Sequence, residues 1–161
     1  MSLRRDNLSW VLVLSILVLL GVAVVYLLLP YMQPHTSIQL GDGVFAAQVR
    51  VAHNNADDIT IESTELVADK ALLVVYGTDD LWQVPMKNHL FPLDIVWLNK
   101  NKKVVYIATN VNPDTVTDTV LTSKEPARYI LELPIGTVGQ KAITTNSSAT
   151  FDEHVMGGLS S

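Results

Sequence analysis

Trp82–Leu98, WQVPMKNHLFPLDIVWL, is the stretch whose reading decides the fold. Pro85 and Pro92 bracket the polar cluster Lys87-Asn88-His89. Each proline fixes φ and removes a backbone donor, so a rigid turn rather than a helix is expected between them. Leu93–Leu98 then reads as a strand, with Leu93, Ile95 and Trp97 on one face and Asp94, Val96 and Leu98 on the other. Both faces are mostly apolar, which predicts a buried strand. Asp94 stands at the mouth of that strand, where an unpaired carboxylate is costly. Lys87, or the amides around Asn88, are its expected partners.

Downstream, Asn99–Lys103 is a charged turn and Val104–Thr109 a return strand, so 93–109 reads as a hairpin. Asn110–Pro126 is polar and reads as a long surface loop. Arg128–Leu133 alternates, with Tyr129, Leu131 and Leu133 on one face and Arg128, Ile130 and Glu132 on the other. Pro134-Ile135-Gly136 ends that strand and leads into a short helical turn through Gln140. Lys141–Thr145 and Ala149–Phe151 are candidate closing strands. Upstream, Val44–His53 alternates, with Phe45, Ala47, Val49 and Val51 inward and Gln48 and Arg50 outward. Asn54–Asp58 is a turn cluster, Ile59 and Ile61 allow a short strand, and Ala71–Tyr76 is a continuous apolar strand. The sum is a mainly β (α+β) domain over 44–151, compact and mostly antiparallel, barrel-like or sandwich-like.

Ahead of it, 30–43 reads as an extended linker punctuated by Pro30, Pro34, Gly41 and Gly43. Residues 10–29 carry no charge, and twenty helical residues at about 1.5 Å each span about 30 Å, one hydrocarbon core. Trp10 and Tyr31 mark the two ends, where amphipathic rings favour the headgroup layer. Arg4 and Arg5 precede the run, and no Lys or Arg follows until Arg50. The positive-inside rule therefore puts 1–9 in the cytoplasm and the β domain outside it. The apolar run is longer than a signal-peptide core, and no small-x-small site follows closely, so an uncleaved anchor is expected. Residues 152–161 read as a flexible tail.

The chain has 161 residues, a net charge of −5 and no Cys. Disulfide and thiol chemistry are thereby excluded. An acidic domain without a basic stripe is a poor match for nucleic acid. The four histidines share no metal-ligand spacing with one another or with carboxylates, and there is no nucleophile elbow or phosphate-binding glycine loop. No cofactor is implied.

Three motifs in order carry a resemblance: Met86-Lys87-Asn88, Pro92-Leu93-Asp94-Ile95, and Ala127-Arg128-Tyr129-Ile130-Leu131-Glu132 with Gly136. Over roughly 44–145 the chain resembles the bacterial and archaeal family catalogued as domain of unknown function 192. The resemblance implies a small β-rich domain, often exported or membrane-anchored, and no particular reaction. The chain departs from the family at Asp57–Leu66, which lacks the family's Arg and Gly, and at Thr145-Asn146, where a Gly-Asp turn is usual.

The candidate ligand-binding residues are Trp82, Lys87, Asn88 and Asp94: a flat wall, a cation, a donor-acceptor pair and an orienting acid. The same polar residues would also serve as a hydrogen-bond knot pinning the two-proline turn to the sheet. Arg128 and Glu132 are expected in a structural salt-bridge or cross-strand role. The preferred function is a non-enzymatic, membrane-tethered extracytoplasmic module that binds a protein partner or a small polar ligand. The alternatives are an envelope enzyme on a carbohydrate or similar polar substrate, using Asp94 with Lys87 or His89, and a structural subunit of a membrane assembly.

Overall fold

The computed structural model describes residues 3–28, 35–52, 66–115 and 120–152. The expected turn at Asn54–Asp58, the short strand at Ile59 and Ile61, and nearly all of the tail lie outside these described residues. The chain divides into two compact units, 1–33 and 34–161.

The first unit is the helix α1, Leu3–Leu28. Its window Trp10–Leu27 has a mean hydropathy of 2.8, and none of it is buried. It is long and apolar enough for a membrane span or a signal sequence.

The second unit is mainly β. Its strands are β1 His35–Leu40, β2 Gly43–Ala52, β3 Lys70–Asp80, β4 Gln83–Pro85, β5 Leu93–Leu98, β6 Val104–Val111, β7 Val120–Thr122 and β8 Ala127–Pro134, followed by one helical turn, α2 Thr137–Gln140. Six strands form one sheet in the order β1-β2-β3-β8-β5-β6, and β4 pairs with β7 separately. Every pairing in the large sheet is antiparallel except β2 with β3. The sheet is therefore mixed and open, and no closed barrel forms among the described residues. The parallel pair exists because the chain crosses over between Ala52 and Lys70 instead of turning tightly.

Both faces of the sheet are covered. On one face, Ile38, Phe45, Val49, Leu73, Val96, Leu98, Leu131 and Leu133 pack beneath Val138, Ile143 and Phe151. On the other, Leu72, Val74, Ile95, Trp97 and Ile130 pack beneath Trp82, Val84 and Met86. Central strand β5 is buried at all six positions. Its alternation, and that of β8, follow the sequence.

Three segments differ from expectation. Residues 35–40, read as part of an extended linker, form β1, whose Ile38 and Leu40 are fully buried. Alternation at only two apolar positions gave too weak a signal against the flanking Pro and Gly. Within the polar stretch 110–126, β7 pairs with β4. The candidate closing strands after Lys141 are irregular and meet the sheet edges through isolated bridges, Gln39 with Thr150 and Lys103 with Ser148.

Candidate functional site

Asp94 is fully buried, and its partners are not those expected. Its Oδ1 accepts from the Asn110 backbone N–H at 2.8 Å and its Oδ2 from the Val138 N–H at 2.9 Å. Both donors exist for local reasons. The β5–β6 register shifts between Leu93 and Ile95, and Asn110 adopts φ 54° there, which turns its N–H away from the regular ladder. Asparagine tolerates that left-handed backbone better than most residues. Val138 lies in the first turn of α2, entered through Gly136 at φ 80°, where helical N–H groups lack intrahelical acceptors. Asp94 thus ties β5, the β6 bulge and α2 together. Lys87 is exposed and contributes nothing to this carboxylate.

Trp82 stacks on Tyr76 with ring centroids 4.1 Å apart and donates its Nε1–H to the Thr78 carbonyl at 3.1 Å. It belongs to the core face opposite Asp94. The rigid turn between the prolines is a 3-10 turn, Met86–Asn88. The side chain of Asn88 lies outside the described set. Trp82 and Asp94 are therefore not brought together, and Lys87 projects from the surface.

The arrangement that the sequence did not assemble is His89 with Glu132. Both are buried, and they lie 43 residues apart in the chain. His89 Nε2 sits 3.3 Å from Glu132 Oε1 and 3.4 Å from Oε2, while Nδ1 faces the Pro85 carbonyl at 3.2 Å. Both ring nitrogens meet oxygens, which satisfies an imidazole carrying both protons. Burial alone would lower the His89 pKa, but the Glu132 hydrogen bond and charge, helped by the Pro85 carbonyl, raise it above 6.5. One signal was available. Glu132 alternates onto the same face as Ile130, and an acid on an apolar strand face needs a partner. The pair lines a cleft with Val74, Gln83, Val84, Pro85 and Ile130 whose free volume is about 10 Å³. That is room for roughly one water molecule.

Arg128 does not reach Glu132. Its Nε donates to Asp79 Oδ1 at 2.8 Å, linking β8 to β3 at the partly exposed edge of the core. Arg128 is thus paired across strands with Asp79, a residue that the sequence reading did not single out. Asp94 and the His89–Glu132 pair sit on opposite faces: Ile95 is the register partner of Glu132, and Asp94 is one residue off it. No group of three or more metal-ligating side chains occurs among the described residues.

The fold and these buried polar groups define a small, mainly β domain that follows an apolar helix in the sequence and holds an amide-bound acid and a His–Glu pair in its interior. The family described as domain of unknown function 192, an uncharacterised ACR, matches residues 38–151, and the chain belongs to it. A solved protein of Sinorhizobium meliloti 1021, described as a candidate transcription regulator, is similar at 19% identity and a TM-score of 0.67, over 74% of this chain and 95% of that one. A protein of unknown function from Novosphingobium aromaticivorans DSM 12444 is similar at 21% identity and a TM-score of 0.60, over 72% and 83%. At such identities the likeness concerns the fold alone. No curated protein matches.

Proposed function

We propose that the protein is a membrane-tethered extracytoplasmic module that binds a partner or a small polar ligand without catalysing a reaction. The observation that carries this reading is α1: an uncharged, wholly exposed apolar window, Trp10–Leu27, on a chain whose β domain has its own two-faced core. Burying such a window in lipid relieves the exposure of eighteen apolar-rich residues to water. Arg4 and Arg5 before it, with no cation until Arg50, orient the β domain outward. A non-catalytic role is supported by the same side chains that first suggested chemistry. Asp94 is consumed by two amides, and the His89–Glu132 cleft admits little more than a water. Lys87 remains available at the surface for an anionic or carbonyl group.

The absence of cysteine makes the topology directly testable. In intact cells, Lys100→Cys should react with a membrane-impermeant maleimide, and Ser2→Cys should react only after lysis. The full chain should stay in the membrane pellet after alkaline extraction. Release into the supernatant, or the reverse labelling pattern, refutes the tether. A melting-shift screen of small anions and polar metabolites on the detergent-solubilised protein, wild type beside Lys87→Ala, then tests the binding role. A shift confined to wild type assigns the ligand to Lys87.

A further inference from the structure

Residues 87–92 connect buried Met86 to buried Leu93. Lys87, Leu90, Phe91 and Pro92 are exposed, and Leu90 keeps 65% of its surface in water. His89 is the one described side chain of this segment that is buried. Its backbone N–H bonds the Met86 carbonyl, which closes the turn on itself and does not reach the sheet. Between its two ends the segment is therefore fastened by an imidazole, where an aliphatic side chain would hold it at any pH.

That imidazole is clamped between two acceptors. Nδ1 lies 3.2 Å from the Pro85 carbonyl and Nε2 3.3 Å from the nearer Glu132 oxygen. Neither a carbonyl nor a carboxylate can donate, so both contacts need an N–H, and only imidazolium has two. In a neutral ring that keeps Nδ1–H on Pro85, the bare Nε2 lone pair faces the Glu132 carboxylate. The other walls of the cleft, Val74 from β3, Gln83 and Val84 from β4 and Ile130 from β8, carry no charge. Arg50 stands on the same sheet face in the row Arg50–Val74–Ile130, two strands from β8, and Arg128, on β8, is held by Asp79. Burial lowers the proton affinity of His89, and the Glu132 hydrogen bond and charge, with the Pro85 carbonyl, outweigh it. The second proton is therefore still held at pH 6.5 and leaves as pH rises further. The cleft has room for roughly one water, too little to rehydrate the carboxylate then left beside the lone pair.

We propose that His89 is a proton-operated latch: its doubly protonated ring fastens segment 87–92 to Glu132 on β8, and loss of one proton frees that segment while the sheet stays folded. Release disturbs the core little, because no other described side chain of 87–92 is drawn from the interior. Lys87, Leu90 and Phe91 ride on the segment, so the proton sets which surface the domain presents at this corner. Glu132→Gln removes the need for the proton. A neutral ring then donates from Nδ1 to Pro85 and accepts at Nε2 from the Gln amide.

The test uses the full chain in detergent, with pairs of nitroxide labels on introduced cysteines, the chain having none of its own. Leu90→Cys with Lys100→Cys measures the latched segment against the β5–β6 turn, and Thr109→Cys with Lys100→Cys measures the sheet against itself. All three positions are exposed. Between about pH 6 and about pH 9 the 90–100 distance distribution should broaden severalfold while the 109–100 distribution stays narrow. Nitrogen-15 spectra of the histidine rings should show His89, identified by its loss in His89→Gln, giving up one ring proton over the same interval. In Glu132→Gln the 90–100 distribution should stay narrow throughout. A wild-type 90–100 distribution that is equally narrow at both ends of the interval overturns the latch. Broadening of both pairs together, which is unfolding, overturns it too, as does broadening while the His89 ring keeps both protons. Equal broadening in Glu132→Gln with its 109–100 pair narrow also overturns it. Where Glu132→Gln broadens the 109–100 pair at every pH, the variant is unfolded and the wild-type distances set against the ring titration decide.

Discussion

Asp94 accepts hydrogen bonds from two backbone donors, so its removal acts through them. Asp94→Ala leaves the Asn110 and Val138 N–H groups unpaired inside the protein. At about 1–3 kcal/mol for each stranded donor, the loss should be roughly 2–6 kcal/mol in a denaturant titration. Lys87→Ala should change stability by less than about 0.5 kcal/mol, as exposed positions usually do. The Lys87–Asp94 partnership suggested by proximity in sequence is wrong because the true partners arrive from β6 and from beyond β8, and no local pattern announces them. His89 and Glu132 raise a different expectation. The His89 pKa is raised on folding, so the native state holds that proton more tightly than the unfolded chain does. The resulting stability is present in full below pH 6.5 and is lost as pH rises through the higher folded pKa. Melting midpoints measured across that interval should fall with pH for the wild type. Glu132→Gln should flatten the dependence, and an equally steep slope in that variant would contradict the pairing.

At the level of strands, ion pairs separate by burial. Arg128 and Asp79 keep side-chain exposures of 33% and 24%, so Arg128→Ala should cost less than about 1 kcal/mol. Glu132→Ala leaves a buried histidine without its acid and should cost about 3–5 kcal/mol. The β1–β2 turn gives a backbone case. Gly41 has φ 56°, and a Cβ there would run into the Lys141 carbonyl oxygen. Gly41→Ala should therefore destabilise by more than the roughly 1 kcal/mol of an ordinary loop glycine, read as a drop in melting midpoint. Alternation made β2 and β8 legible in advance, a short run apolar on both faces did the same for β5, and the 93–109 hairpin followed from the charged turn between its strands. β1 and β7 were not legible, since HTSIQL and VLT hold too few apolar residues to stand out from their polar surroundings. The parallel β2–β3 pair was equally hidden, because periodicity marks faces and says nothing about neighbours.

For the molecule as a whole, every residue of the two core clusters lies between Ile38 and Phe151. A chain lacking residues 1–33 should therefore fold, remain in the aqueous fraction and melt cooperatively near the full-length midpoint. Loss of cooperative melting would show that α1 is needed for folding. The apolar helix and the β domain were separable by eye in the sequence, because an uncharged run of that length stands apart from the alternating strands that follow. The buried polar pairs were not separable from surface polarity, since burial is decided by strands far apart in the chain. One outcome of the Asp94 arrangement bears on how the sheet avoids misassembly. A β5 greasy on both sides could slide by one residue against β8 and still hide its oily groups. Such a slip would carry Asp94 onto the other face of the sheet, the one that holds Glu132, away from both N–H groups, and strand a charge there. The single acid thus lets the chain tell the right alignment from a shifted one that hydrophobicity alone would tolerate.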